Sequence, residues 1–190
     1  MDIESARLKT DDTEVLAEQK LAWGGNTVRF VVGCDLGEFK EYWSRNGYDG
    51  DFNHLINVVV KDPSQLIVWR EGGKVVGHAV WHKTSTEKHR KGDPRDEEDR
   101  LALERLLGGK KDFVELHEVW LMKEYRGKGF GEGFFDFFEE FIKKKGYDDV
   151  VFYAHHPAAL AICRKHGYRE GGYLKGLREY VFCTSLRKRK

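Results

Sequence analysis

Short apolar or β-branched runs alternate along this chain with segments whose apolar residues recur at helical spacing, and the two periods predict its elements. Ser5 to Leu8 predicts a short opening strand, and Asp12 to Trp23 a helix capped by Asp11 or Asp12 and stopped by Gly24-Gly25. The β-branched run Thr27 to Val32 predicts a strand, and Leu36, Phe39, Tyr42 and Trp43 place a helix over Leu36 to Arg45, ended by Asn46-Gly47. Aromatic density from Phe39 to Phe52 suits either a substrate pocket or plain packing. Leu66 to Trp69 and Val75 to Trp81, joined by Glu71-Gly72-Gly73-Lys74, read as a hairpin. His82 to Asp99 is almost entirely charged, and a helix over Arg95 to Leu107, ending at Gly108-Gly109, is expected to dock through Leu101, Leu103, Leu106 and Leu107. Residues 82 to about 110 therefore read as a charged insertion, a solvated excursion or else a lid or dimer contact. Further on, Phe134, Phe135, Phe137, Phe138, Phe141 and Ile142 form the apolar stripe of a buried helix, closed by Lys143-Lys144-Lys145 and Gly146. Asp149 to Ala154 predicts a strand, Pro157 to His166 a helix closed by Gly167, Tyr180 to Cys183 a late strand, and 187 to 190 a disordered basic tail.

Composition narrows the class of protein. At 190 residues the chain suits one compact domain spanning 1 to 190. Its 33 basic and 32 acidic residues nearly cancel, so no overall field draws in nucleic acid, and neither the basic tail nor Lys83 to Arg95 makes a nucleic-acid partner the better reading. Three cysteines, Cys34, Cys163 and Cys183, are an odd number without C-x-x-C spacing, which argues against a disulfide framework and for a reducing cytoplasm. No leader-like start or bilayer-length apolar stretch is present, so a cytoplasmic protein without membrane contact is expected. Eight histidines invite a metal site, with His155, His156 and His166 the obvious cluster, yet no H-E-x-x-H or mixed Cys/His spacing occurs and none is expected.

The chemistry concentrates at Tyr125 to Gly133, Y-R-G-K-G-F-G-E-G, set between an apolar run and the phenylalanine-rich helix. Glycines there let consecutive amides turn toward one anion, and the helix adds its first-turn N–H groups and the positive end of its dipole. Arg126 and Lys128 add charge. The dinucleotide pattern G-x-G-x-x-G fails in either register, and no G-K-[ST] follows.

Arg126, Gly129 and Gly131 do fit R-x-x-G-x-G, which resembles the coenzyme A signature of the GNAT superfamily of acetyl-coenzyme A-dependent N-acetyltransferases. Val114 to Leu121 is similar to the fourth strand of that family and His156 to Tyr168 to its second conserved helix, so the resemblance covers roughly Phe113 to Leu186. It implies a mixed α/β (α+β) fold: a mostly antiparallel central sheet, helices on both faces, and parallel fourth and fifth strands that splay apart around the coenzyme. It also implies transfer of an acetyl group from acetyl-coenzyme A, used as co-substrate, to a primary amine through a ternary complex. The amine belongs to a small molecule or a peptide, and a homodimer is frequent in the family.

The same resemblance implies that Arg126, Gly127, Lys128, Gly129, Phe130, Gly131 and Glu132 wrap the pyrophosphate, that Val119 and the backbone around Leu121 meet the pantetheine arm, and that His156 stands where the family commonly has Asn. Strand alternation puts Glu115, His117, Val119 and Leu121 on one face and Leu116, Glu118, Trp120 and Met122 on the other. Glu115 and His117, on the face the resemblance selects, are the candidates for the base, and Glu118 is the weaker one. Cys163 occupies the place where family members often have an acidic tyrosine. It is either a proton donor or a small apolar core residue, with Tyr153, Tyr168 and Tyr180 as substitutes. The missing tyrosine keeps a second reading open, a non-catalytic acyl-coenzyme A-binding or sensing module.

Overall fold

The computed structural model describes residues 17–23, 26–48, 50–89, 91–93 and 96–188. These fall into two compact units, Met1–Trp81 with Glu118–Phe137, and His82–His117 with Phe138–Lys190. Mixed α/β structure runs through both, with antiparallel strand pairs in each unit and one parallel pair in the second.

In the first unit β1 (Ala17–Trp23), β2 (Asn26–Val32), β3 (Leu66–Glu71) and the opening of β4 (Lys74–Ser85) follow one another as an antiparallel meander. Helices α1 (Leu36–Arg45) and α2 (Phe52–Val59) lie between β2 and β3 in sequence. Asp35 caps α1 by accepting from the amides of Gly37 and Glu38, and Asp51 caps α2 by accepting from His54. Leu36, Phe39 and Tyr42 from α1, Leu55, Ile56 and Val59 from α2, and Leu66, Val68, Val75 and Val80 from the sheet make one buried cluster. Arg70 on β3 ties α1 down from outside with two 2.6 Å bonds to the Glu38 carboxylate.

The second unit contains α3 (Asp96–Leu107), the start of β5 (Asp112–Leu121), the end of α4 (Phe130–Lys144), β6 (Asp149–Ala154), α5 (Pro157–Lys165), β7 (Arg169–Leu174) and β8 (Glu179–Ser185). Here β5 and β6 are the parallel pair, in register at Val114–Val150, Glu115–Val151 and Leu116–Phe152. That pairing stops at Leu116, whereas β6 stays paired with β8 through Ala154. The expected parallel strands that part from one another are therefore β5 and β6. Ala102, Leu103, Leu106 and Leu107 of α3 pack with Phe113, Val151, Val181 and Cys183.

Several expectations change. Ala17–Trp23 is a strand, not the end of a helix, and pairs with β2 from Trp23–Asn26 onward. Its Ala, Glu, Gln and Lys favour a helix locally, and ladder formation with a β-branched neighbour overrides that weak preference. The expected opening strand at Ser5 to Leu8, and the helix start before residue 17, lie outside the described residues. The first residues of the charged segment from His82 belong to a strand, because β4 continues through Ser85. Leu101 is 47% exposed and Ala102 takes its place on the docking face of α3. Arg187 of the tail forms an ion pair with Asp148.

Candidate active site

In the first unit the chain leaves β5 with the Met122 amide bonded to the Val76 carbonyl at 3.0 Å, makes one 3-10 turn over Lys123–Tyr125, and enters α4. Tyr125 anchors the turn by donating to Glu71 at 2.5 Å. Gly127 and Gly129 have φ of 72° and 80°, a left-handed backbone in which a side chain is strained, and a Cβ on either would meet nothing within 4 Å. Open space on the side-chain side and a left-handed turn are what a concave run of amides requires. The first intrahelical bond of α4 is Gly133 to Gly129 at 3.0 Å, so amides 130 to 132 fall in the turn whose donors have no acceptor further back in the helix.

The individual residues divide by role. Gly131 does not share the positive φ of its two neighbours. It lies inside α4. The Phe130 ring is 1% exposed and belongs to the core, so only its amide can face a ligand. Glu132 puts a carboxylate in the first turn, which suits the helix dipole. Arg126 folds back: its guanidinium lies 4.3 Å over the Trp120 ring and Nε donates to the Leu121 carbonyl at 2.8 Å. Part of the backbone expected to meet pantetheine is thus engaged by the loop's own arginine. Lys128 stands 5.7 Å from the Tyr125 ring centroid, and Val119 and Leu121 are half-buried.

In the second unit, the first half of β5 carries a buried carboxylate. Glu115 is 2% exposed, and three imidazoles converge on it: His82 Nε2 and His89 Nδ1 each lie 3.2 Å from Oε2, and His117 Nδ1 lies 3.3 Å from Oε1. The common face of Glu115 and His117 expected from alternation is seen directly. Burial opposes ionisation of Glu115, but hydrogen bonds from His117, His82 and His89 outweigh it and hold the carboxyl well below its usual range. His89 is itself enclosed. Its Nε2 sits 3.0 Å from both Asp99 Oδ2 and the Tyr153 hydroxyl, and that hydroxyl donates to Asp99 Oδ1 at 2.7 Å. Burial opposes charge on His89 as well, yet the Asp99 and Glu115 carboxylates raise it to about 9.

His82, His89 and Asp99 were not candidates on sequence. His82 shares strand parity with His78 and Val80, a signal readable only if β4 is followed past Trp81. No sequence signal marks His89, which sits in a charged stretch and is 7% exposed.

The remaining candidates have other neighbours. Glu118 approaches His78 Nε2 at 3.8 Å, and His78 Nδ1 is 2.8 Å from the Tyr42 hydroxyl, all within the first unit. Cys163 is completely buried and burial pushes its thiol up to about 12. His156 is the N-cap of α5, its Nδ1 accepting from the Ala158 amide at 3.3 Å. His155 and His166 have separate acidic neighbours, Glu179 and Glu139, each at 3.2 Å. Of the substitute tyrosines, Tyr153 belongs to the Asp99 network, Tyr168 is buried, and Tyr180 lies 5.9 Å under the Arg164 guanidinium.

Among the described residues no helix is long and apolar enough to cross a membrane. Comparison with curated protein sequences gives no match. Solved structures share the fold at low identity. The loading GNATL domain of CurA from Lyngbya majuscula aligns at a TM-score of 0.62 and 16% identity, over 86% of this chain and 100% of its own. Drosophila melanogaster polyamine N-acetyltransferase, which catalyses formation of N-acetylagmatine, aligns at 0.61 and 11%, over 83% and 99%. The PaiA N-acetyltransferase of Thermoplasma acidophilum, solved with coenzyme A, aligns at 0.50 and 18%, over 78% of each chain. A family description, acetyltransferase (GNAT) family, matches residues 33–168, most of the chain and the whole run from α1 to the end of α5, and the chain belongs to that family.

Proposed function

We propose that this protein is an N-acetyltransferase that moves an acetyl group from acetyl-coenzyme A to a primary amine in a ternary complex. The observation that carries the reading is the left-handed pair Gly127 and Gly129 opening directly onto the first turn of α4. In this reading the amides of 127 to 132 face the pyrophosphate, with Arg126 and Lys128 flanking it. The coenzyme supplies an activated acetyl thioester, and the chain's own residues position the amine and take its proton.

A protonated amine cannot attack, so a proton acceptor is needed. Glu115 is poorly suited to that task directly, because three imidazole hydrogen bonds stabilise its anion and weaken its basicity. His117 is better placed: with Nδ1–H donating to Glu115 Oε1, the neutral ring presents Nε2 as the basic nitrogen, and the anion stabilises the imidazolium that forms. We assign His117 as the acceptor and Glu115 as the residue that orients it. The acceptor molecule is a primary amine, the class on which agmatine, polyamine and arylalkylamine acetyltransferases of the same fold act.

A thiol held near 12 is a weak donor, and this supports both a packing role for Cys163 and the second reading, a module that binds acyl-coenzyme A without turnover. Calorimetric titration with acetyl-coenzyme A, paired with a thiol-release assay over a panel of primary amines, separates the two. Binding with amine-dependent thiol release is expected, and binding without release favours the module. In Gly129→Val, coenzyme binding should be lost while the fold survives, since a strained left-handed residue costs only about 1–2 kcal/mol. Unchanged affinity in that variant refutes the loop assignment.

A further inference from the structure

The donors around Glu115 Oε2 have the chemistry and the spacing of metal ligands. His82 Nε2, His89 Nδ1 and one Glu115 oxygen all lie within 4.8 Å of one another, and the two nitrogens are each 3.2 Å from the same oxygen. Ligands about 2.1 Å from a tetrahedral zinc ion are separated by roughly 3.4 Å, so nitrogen-to-oxygen spacings of this size match the edge of such a polyhedron. They also sit at the long limit for a charge-assisted hydrogen bond, whose usual range is about 2.7–2.9 Å.

The surroundings match as well. A ligating histidine ordinarily gives its second nitrogen to a carboxylate, which fixes the ring. His89 has such a carboxylate beside it: Nδ1 faces the cluster while Nε2 lies 3.0 Å from buried Asp99 Oδ2 and 3.0 Å from the Tyr153 hydroxyl, which itself donates to Asp99 Oδ1. Glu115 Oε1 is engaged separately by His117 at 3.3 Å, which fixes the carboxylate plane and leaves Oε2 turned to His82 and His89. His82 is 29% exposed, giving the site one ligand on the solvent side and an entry path.

We propose that His82 Nε2, His89 Nδ1 and Glu115 Oε2 bind a divalent first-row transition ion, zinc foremost. Two imidazoles and one carboxylate suit zinc and leave a fourth position for water. The ion and His117 use opposite oxygens of one carboxylate, so the site does not require Glu115 to leave the role assigned above, and its test does not depend on acetyl transfer.

The full-length protein, stripped with a chelator, is titrated with zinc chloride by calorimetry and with cobalt chloride by visible absorption. One equivalent of zinc and a tetrahedral cobalt spectrum are expected. His82→Ala should weaken binding at least about 100-fold, Asp99→Asn about 10- to 100-fold through the lost orienting contact, and His155→Ala not at all. Lack of saturable one-to-one binding, or equal loss in His155→Ala, overturns the proposal. If His82→Ala fails to fold, anomalous scattering from zinc-soaked crystals of the unaltered protein decides: an ion between His82, His89 and Glu115 supports the site, and an ion elsewhere or none refutes it.

Discussion

Gly77 on β4 is the position where one methyl group should do most damage near the loop proposed to hold the coenzyme. Its backbone needs no unusual φ, so the requirement for glycine is steric. A Cβ would lie 2.8 Å from the Trp120 carbonyl oxygen and 3.1 Å from both Leu121 Cδ1 and Trp69 Cδ2. Of these neighbours only Leu121, a half-buried side chain, can swing away at low cost. Trp69 is fully buried between Phe30, with ring centroids 5.4 Å apart, and Phe134, at 4.9 Å. Trp120 is pinned by its indole bond to the Asn46 carbonyl at 3.0 Å, by the Tyr48 ring at 4.7 Å and by Arg126. The β5 backbone itself must therefore move by a few tenths of an ångström.

Overpacking of this kind costs about 1–3 kcal/mol, and replacing a strand glycine returns about 0.5–1 kcal/mol of chain entropy. Net destabilisation in Gly77→Ala is then about 1–2 kcal/mol, which for a chain of this length lowers Tm by roughly 2–8 °C. Thermal unfolding reads this directly. Calorimetric titration with coenzyme A should show weaker binding, because the displaced segment is the one leading into the glycine loop. A variant with an unchanged or raised Tm and unchanged affinity would refute the claim that close approach of β4 and β5 at this point shapes the site.

Other consequences are as specific. In Gly171→Ala a Cβ would lie 2.6 Å from Leu106 Cδ1 and 2.8 Å from Val181 Cγ1, both buried, so urea unfolding should show about 1–3 kcal/mol lost as α3 is pushed off β7 and β8. All three thiols are buried, and burial pushes Cys34 and Cys163 up to about 12 and Cys183 to about 11, so native protein should leave all three unreactive to a chromogenic disulfide that titrates three thiols after denaturation. The sign of the linked pH effect follows: thiols that keep their protons when folded and release them from about pH 9 when unfolded make stability fall as pH rises above 9, measurable as a declining Tm. His117→Ala should lower kcat by about 10²- to 10⁴-fold with little change in the KM of the amine, and an equal fall in kcat for His54→Ala would remove His117 from the mechanism.

What was legible in the sequence followed local physics. The α1 and α4 boundaries come from capping residues and apolar stripes, and the Lys74 turn from Gly72-Gly73, signals held within a few residues. Strand alternation alone placed Glu115 and His117 together. β1 was misread because its composition favours a helix while its ladder with β2 does not. β7 was missed because Gly171-Gly172 interrupts its pattern, and Gly172, at φ 107°, sits where the register with β8 shifts. α2 was missed too, although Asp51 caps it. The histidines show the same limit most plainly: the pair adjacent in sequence, His155-His156, does not cluster, while His82 and His89 meet Glu115 across separations no periodicity encodes.

β5 sorts its acids by parity, and that sorting decides their chemistry. Glu115 is buried and faces three imidazoles, so its negative charge is stabilised and its basicity spent on hydrogen bonds. Glu118, on the opposite face, lies 3.8 Å from His78, whose other nitrogen is already held by the buried Tyr42 hydroxyl. A group becomes a useful base when its proton affinity lies near the working pH and it is accessible, and Glu115, buried and held well below the usual carboxylate range, satisfies neither condition. His117 is 40% exposed and is oriented by an anion that does not itself take up the proton. In the mechanism proposed above the buried acid of the strand prepares its exposed histidine, so Glu115→Gln should act on the pH profile of turnover through His117: an amide that no longer stabilises the imidazolium lowers the pKa read in kcat/KM. An unchanged profile with reduced kcat would assign Glu115 a structural role instead.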